Sequence, residues 1–316
     1  MTSAWLRQAE RGSLFWLKVI TWIALRLGRV VARILLVPIT LYFVATSPAS
    51  RSASRSFLKR ALGRRVTLAD VIRHHHCFAS TILDRVYLLS GQTQYFDVQI
   101  FHGELLAKRV AAGEGCILLG SHLGSFEVLR VLAVRDMQYP VRVLMDVAHN
   151  PMITGLLDSL CPELADTAIP TGGLASLVRV KESLESGYLV GILGDRSDHD
   201  RQWQVSAFFG RPAKFSTNAA RLACVLGAPV VMFFGLYRGG NRYDIYFELL
   251  MEGGPVPKSL REAAVRNLTS QYASRLEAYA REAPYNWFNF YDFWADAGDA
   301  HPAGESNGSG RTGARR

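Results

Sequence analysis

The chain has 316 residues, of which 49% are hydrophobic and 20% charged, a balance that builds a sizeable core and excludes disordered, collagenous and coiled-coil chains. Its net charge of +9 is unevenly placed: residues 1–65 carry twelve Lys and Arg against one acidic residue, a net +11, and the rest of the chain sums to −2. Basic charge confined to an apolar N-terminal segment fits an anionic membrane surface and argues against nucleic acid, which needs its basic stripe on the folded domain.

Residues 14–27 and 30–46 are dominated by large apolar side chains, with Lys18, Arg26, Arg29 and Arg33 set among them. The uncharged run from Ile34 to Ser50 is 17 residues long, at the short limit for crossing a bilayer, and Pro38 is expected to kink it. Trp5, Trp16, Trp22 and Tyr42 near the ends favour an interfacial anchor, either bent or lying in the membrane plane, over a buried helical hairpin. Arg51 and Arg55 after the small residues make it a poor cleavable signal. This gives an expected division into an anchor at 1–65, an α/β domain at 66–296 and a disordered Gly-, Ser- and Arg-rich tail at 297–316.

From residue 66 short apolar runs alternate with helical-period segments, which predicts an α/β fold with a mostly parallel central sheet flanked by helices. The predicted strands are Cys116 to Gly120, Val141 to Met145, Leu189 to Gly194 and Val230 to Leu236. Helices are expected at 125–135, 151–160, 172–186 and 216–227, an edge strand at Tyr243 to Met251, and a long amphipathic helix at 259–282. The four cysteines, Cys77, Cys116, Cys161 and Cys224, are widely spaced and read as reduced thiols of a cytosolic domain. His74, His75 and His76 are adjacent, so on a helix they point about 100° apart and do not converge on a metal; no metal or cofactor is expected. No GxSxG, GxxxxGK[ST], GxGxxG or HExxH pattern occurs.

The chemistry concentrates in GCILLGSHLGSFEVL, where an apolar strand ends at Gly120 and a turn carries Ser121, His122 and Gly124 before a helix. Strand ends are where α/β proteins bind ligands. His122 with Glu127 behind it reads as a general base whose tautomer the carboxylate fixes, while Gly120 and Gly124 admit substrate to the backbone. The bland alternative is a turn-capping His and a first-turn Glu favoured by the helix dipole. Asp195 and Arg196 end another strand, Arg196 as a carboxylate, phosphate or oxyanion binder held by Asp195, or the two as a structural ion pair. Arg211, Lys214, Ser216 and Thr217 precede a helix and are, with Ser121, candidate substrate-binding residues, although capping alone accounts for the hydroxyls, and YNWFNFYDFW at 285–294 reads as core or acyl-groove lining.

Together these blocks resemble the late acyltransferases of lipid A biosynthesis, the lauroyl/myristoyl transferase group of the lysophospholipid acyltransferase superfamily, from the N-terminus to about residue 294. That group carries a His-x4-Asp/Glu motif, matched by His122 and Glu127, and a later strand-end acid, matched by Asp195 beside Arg196. The resemblance implies a glycerol-3-phosphate-acyltransferase-like fold. It implies acyl transfer from a thioester, on acyl carrier protein or coenzyme A, to a hydroxyl or amine of a membrane lipid at the cytoplasmic face of a bacterial inner membrane. In VLMDVAHNP, Asp146 falls where the lipid A enzymes commonly have Arg, and Phe288, Asn289 and Phe290 replace basic residues. Both changes remove positive charge and point to a divergent branch with an acceptor other than the phosphorylated lipid A precursor. The alternatives are a glycerophospholipid acyltransferase, for which only Arg196, Arg211 and Lys214 supply basic residues, and a non-catalytic acyl- or lipid-binding protein of the same fold.

Overall fold

A computed structural model describes residues 14–145, 160–196 and 202–295. Its centre is a seven-stranded sheet of β1 (Asp97–Phe101), β2 (Cys116–Gly120), β3 (Val141–Met145), β4 (Ala168–Pro170), β5 (Leu189–Leu193), β8 (Val230–Gly239) and β9 (Arg242–Met251), in the order β1-β9-β8-β2-β5-β3-β4. All neighbours are parallel except β8 and β9, which form an antiparallel hairpin. Strand β2 lies between β8 and β5 with all five residues buried, as expected for a continuous apolar run in a sheet covered on both faces. Ile117 and Leu119 enter one core with Met232, Phe234, Tyr272 and Trp287, while Cys116 and Leu118 enter the other with Val128, Val231, Phe233 and Tyr243. The period of two along β2 and β8 thus divides the apolar side chains between two cores.

Helix α4 (Glu104–Ala111) lies between β1 and β2; between β2 and β3 lie α5 (Phe126–Val131) and a π turn at Leu132–Asp136; α6 (Pro162–Ala165) precedes β4 and α7 (Gly173–Glu185) precedes β5. Helix α8 (Asn218–Leu226) and the long α9 (Arg261–Glu282) pack together and cover one face. The helix expected at 151–160 and the position of Asp146 lie outside the described residues, apart from helical Leu160.

Three expectations need correction. Tyr243 to Met251 is not an edge: β9 pairs with β8 on one side and β1 on the other, burying Tyr243, Ile245 and Phe247. The true edge, β1, is a largely exposed DVQIF without an apolar run to betray it, as edge strands tend to be. The stretch before the helix at 218, where no strand is predicted, is a hairpin, β6 (Trp203–Phe208) against β7 (Arg211–Ser216), which places Pro212 inside a two-stranded ladder.

The third correction concerns the N-terminal segment, where α1 (Leu14–Thr46) breaks at Gly28, not at Pro38. Gly28 has φ 83° and ψ 169°, a conformation that a residue without Cβ reaches cheaply, and Pro38 is carried within the helix. Helix α2 (Pro48–Leu62) follows, then α3 (Leu68–Leu89), whose start is closed by a reciprocal capping box of Thr67 and Asp70. Ala24, Ala32 and Leu36 bury against Leu83, Val86 and Tyr87 of α3, and Arg29 grips the buried Asp84 through Nε and Nη2 at 2.9–3.1 Å. Arg33 adds a second cation 3.7 Å from Asp84, and the Tyr243 hydroxyl donates to the same carboxylate at 2.9 Å. Arg29 and Arg33 are therefore turned into the domain, while Arg26 is exposed and Trp22, Val30, Ile34, Val37 and Leu41 face outward.

Candidate active site

The carboxyl ends of β2 and β5 lie side by side, because Gly120 pairs with Leu193 and the Gly194 amide continues to the Gly120 carbonyl at 3.0 Å. The Tyr272 hydroxyl of α9 donates to the same carbonyl at 2.8 Å. This register delivers His122 and Asp195 to one point. His122 Nδ1 lies 2.8 Å from Asp195 Oδ1, and the His122 amide donates to Asp195 Oδ2 at 3.0 Å. Asp195 is wholly buried, whereas the His122 side chain is 26% exposed.

Two further donors converge on Oδ2, the Trp287 indole Nε1 and the Asn289 amide, each at 3.0 Å. Burial pushes the Asp195 carboxyl up, but the His122 charge and hydrogen bond outweigh it with help from Arg196 and the His122 amide, holding it at about 2. An ionised carboxylate on Nδ1 fixes the ring tautomer and leaves proton transfer to Nε2.

Glu127 forms no hydrogen bond with His122 among the described residues. Its Oε1 accepts from Arg85 of α3 and from Arg130 Nη1 at 3.4 Å, and Oε2 is buried with no hydrogen-bond partner among the described residues. Arg130 itself is fastened to Thr167 Oγ1 and the Leu164 carbonyl. Glu127 points with α5 toward α3, one turn into a helix that leaves the strand end, while the acid that reaches the imidazole comes from the next strand in the sheet.

Other predicted site residues take places that geometry explains. A Cβ on Gly120 would meet Phe233 at 2.6 Å, and one on Gly124, which has φ 76°, would meet the Gly235 carbonyl at 2.0 Å. Both glycines leave room for the protein's own β8. Ser121 Oγ accepts from the Leu123 amide at 3.2 Å and ties the turn. Arg196 is held by Asn289 Oδ1 at 3.0 Å and the Phe288 carbonyl at 3.3 Å. Lys214 lies over the Trp203 ring, Ser216 Oγ accepts from the Asn218 amide, Thr217 Oγ1 accepts from Arg221, and Arg211 neighbours Arg60. Among the described residues, no hydrogen bond joins these four to His122 or Asp195.

The buried segment at 286–289, read from the sequence as core or acyl-groove lining, surrounds the His122–Asp195 contact. Asn286 zips onto β8 by exchanging two hydrogen bonds with the Tyr237 backbone, at 2.7 and 3.1 Å, and the Phe288 amide donates to the His122 carbonyl at 2.8 Å. Asparagines interleaved with buried aromatics were the available signal, since a buried amide needs partners. The adjacent histidines separate: His74 meets Ser54 and the Trp287 carbonyl, His75 meets Ser50 and the Val71 carbonyl, and His76 lies 3.4 Å from Thr40. Among the described residues, no group of three or more His, Cys, Asp or Glu is placed to hold a metal.

An imidazole with a buried carboxylate, at adjoining ends of a mostly parallel sheet, is an arrangement that can accept a proton from a nucleophile. The chain belongs to the family described as bacterial lipid A biosynthesis acyltransferases, whose model matches residues 3–295, and it is accordingly an acyltransferase. No curated protein matches the chain. Within the described residues, one helix, Thr21–Thr46, is long and apolar enough to cross a membrane by length and composition.

Proposed function

We propose that this enzyme moves a fatty-acyl group from a thioester, carried by acyl carrier protein, to a hydroxyl or amine of a membrane lipid, with His122 as general base and Asp195 as its orienting carboxylate. The observation that carries the reading is the 2.8 Å contact between His122 Nδ1 and the wholly buried Asp195. His122 Nε2 takes the acceptor's proton as its oxygen or nitrogen attacks the thioester carbonyl carbon. The tetrahedral intermediate collapses by breaking the carbon–sulfur bond, and the imidazolium returns the proton to the departing thiolate. Arg196, held beside the dyad by Asn289 and the Phe288 carbonyl, supplies positive charge for the intermediate's oxyanion.

Membrane attachment is supported by the outward apolar residues of α1 and by exposed Arg26, Arg55 and Lys59 in the same N-terminal segment, a combination that suits an interface with anionic lipid at the cytoplasmic face of a bacterial inner membrane. Mass spectrometry of total lipids from cells carrying wild type, a deletion, His122→Ala and Asp195→Asn tests the function. The expected result is loss of the same acylated species in all three mutants, which names the acceptor. A species lost in the deletion and retained in both point mutants would remove the dyad from the mechanism.

A further inference from the structure

His74 has no part in the chemistry above, yet it is wholly buried and both of its ring nitrogens are engaged. A backbone carbonyl only accepts, so Nε2 carries the proton and donates to the Trp287 carbonyl at 2.9 Å, and Nδ1 accepts from the Ser54 hydroxyl at 2.8 Å. Burial lowers the ring's pKa to about 3, the Trp287 carbonyl opposing and His75 reinforcing, so this neutral tautomer persists across the working pH range. The pocket is aromatic, with the Phe57 ring centroid at 5.7 Å and that of Phe290 at 4.7 Å. Apolar packing alone would be met by another phenyl ring, and the polarity of this ring goes to Ser54 and Trp287.

Trp287 carries the connection onward. Its indole donates to Asp195 Oδ2, its backbone bridges to Leu123 beside His122, and the next amide, that of Phe288, holds the His122 carbonyl. The segment is thus gripped by α3 on one side and grips both members of the dyad on the other.

We propose that His74 is a positioning residue for acyl transfer: by holding the Trp287 carbonyl it keeps the indole N–H on Asp195 Oδ2, which leaves Oδ1 aligned on His122 Nδ1. This rests on the reading of His122 and Asp195 as the base pair. A carboxylate has two equivalent oxygens and rotates readily unless one is pinned, and Oδ2 takes three donors here. Without His74 the Trp287 segment shifts, the contact between Asp195 and His122 lengthens, and the imidazolium formed during transfer is less stabilised.

The test uses the purified full chain in detergent, a hexadecanoyl carrier-protein thioester as donor and total bacterial membrane lipid as acceptor, with rates measured across pH. His74→Phe is expected to lower kcat about 10- to 100-fold with little change in KM, as small misplacements of catalytic groups do. It should also move the acid limb of the rate profile to lower pH, a change that loss of folded protein alone does not produce. His74→Gln, whose amide donates from the Nε2 position, should restore kcat to within about threefold of wild type and return the limb. A folded His74→Phe with wild-type kcat and acid limb overturns the proposal, as does a His74→Gln as impaired as His74→Phe. Should His74→Phe fail to fold, Ser54→Ala, which removes the hydroxyl feeding Nδ1, must shift the limb in the same direction; an unshifted limb overturns the proposal. Asp195→Asn in the same assay separates the two readings. If it retains the wild-type rate, the base pair itself is wrong and the role of His74 falls with it. If it is inactive while His74→Phe is unaffected, only the positioning role falls.

Discussion

Asp195 Oδ1 lies 2.8 Å from His122 Nδ1 across 73 residues of sequence, while Glu127, five residues from His122, is bound to Arg85 and Arg130. The acid nearest in sequence is a neighbour of α3, and the acid from the adjacent strand serves the imidazole. The proposed pairing of His122 with Asp195 leads to the first prediction.

Replacing Asp195 with Asn should reduce kcat by about 100- to 10,000-fold, the range for loss of assisted proton transfer, with a smaller change in KM. Steady-state rates with a carrier-protein thioester measure it. The same carboxylate also contributes to stability. Its folded pKa, about 2, is depressed from the ordinary 3.8, so its contribution is complete above pH 4 and is lost as pH falls through about 2. The unfolding free energy followed by circular dichroism should therefore fall more steeply between pH 4 and 2 in wild type than in Asp195→Asn.

Glu127→Ala should act first on stability, because it leaves Arg85 and Arg130 facing each other without the carboxylate between them. Removing one member of a buried charge cluster costs about 3–5 kcal/mol, which denaturant unfolding would register. The acid limb of the activity profile of the protein that remains folded should stay where wild type has it, since His122 keeps Asp195. A displaced limb would return Glu127 to the imidazole.

Gly124→Ala should abolish activity and lower the melting temperature. A Cβ there would lie 2.0 Å from the Gly235 carbonyl in a backbone of φ 76°, and the positive φ alone costs about 1–3 kcal/mol. The clash separates the His122 turn from β8. Gly210→Ala is a control with positive φ and open space around its Cβ, and it should be milder in both assays.

Arg29→Ala removes the bidentate partner of Asp84, whose carboxyl burial already pushes up against the pull of Arg29 and Arg33. Its folded pKa then rises further above the unfolded value. A folded carboxyl that holds its proton more tightly gains stability as pH falls and loses it as pH rises through the folded pKa. The variant should be less stable than wild type at pH 7, recover part of the difference toward pH 5, and release α1 to limited proteolysis near residue 47 at the higher pH.

Patterns that depend on neighbouring residues were readable in the sequence. The apolar runs of β2, β3, β5 and β8, the period of α7 and α9, the basic apolar N-terminus and the strand-end position of His122 all follow from local spacing and side-chain type, because burial on one or both faces leaves a regular imprint along the chain. Even the block at 285–294 was legible as aromatic and buried. What spacing could not supply is adjacency between strands. Asp195 reaches His122 because β5 pairs with β2 in a register that aligns Leu193 with Gly120, and no local pattern encodes that register. Likewise the Arg29 and Arg33 charges, which read as membrane-facing, turn inward because α3 presents a buried Asp84, and Gly120 and Gly124 are small because β8 passes over them. Residue types and local periods set the elements and the chemistry on offer; pairing across the sheet selected which acid would orient the histidine, since a hydrogen bond depends on distance in space and not on separation along the chain.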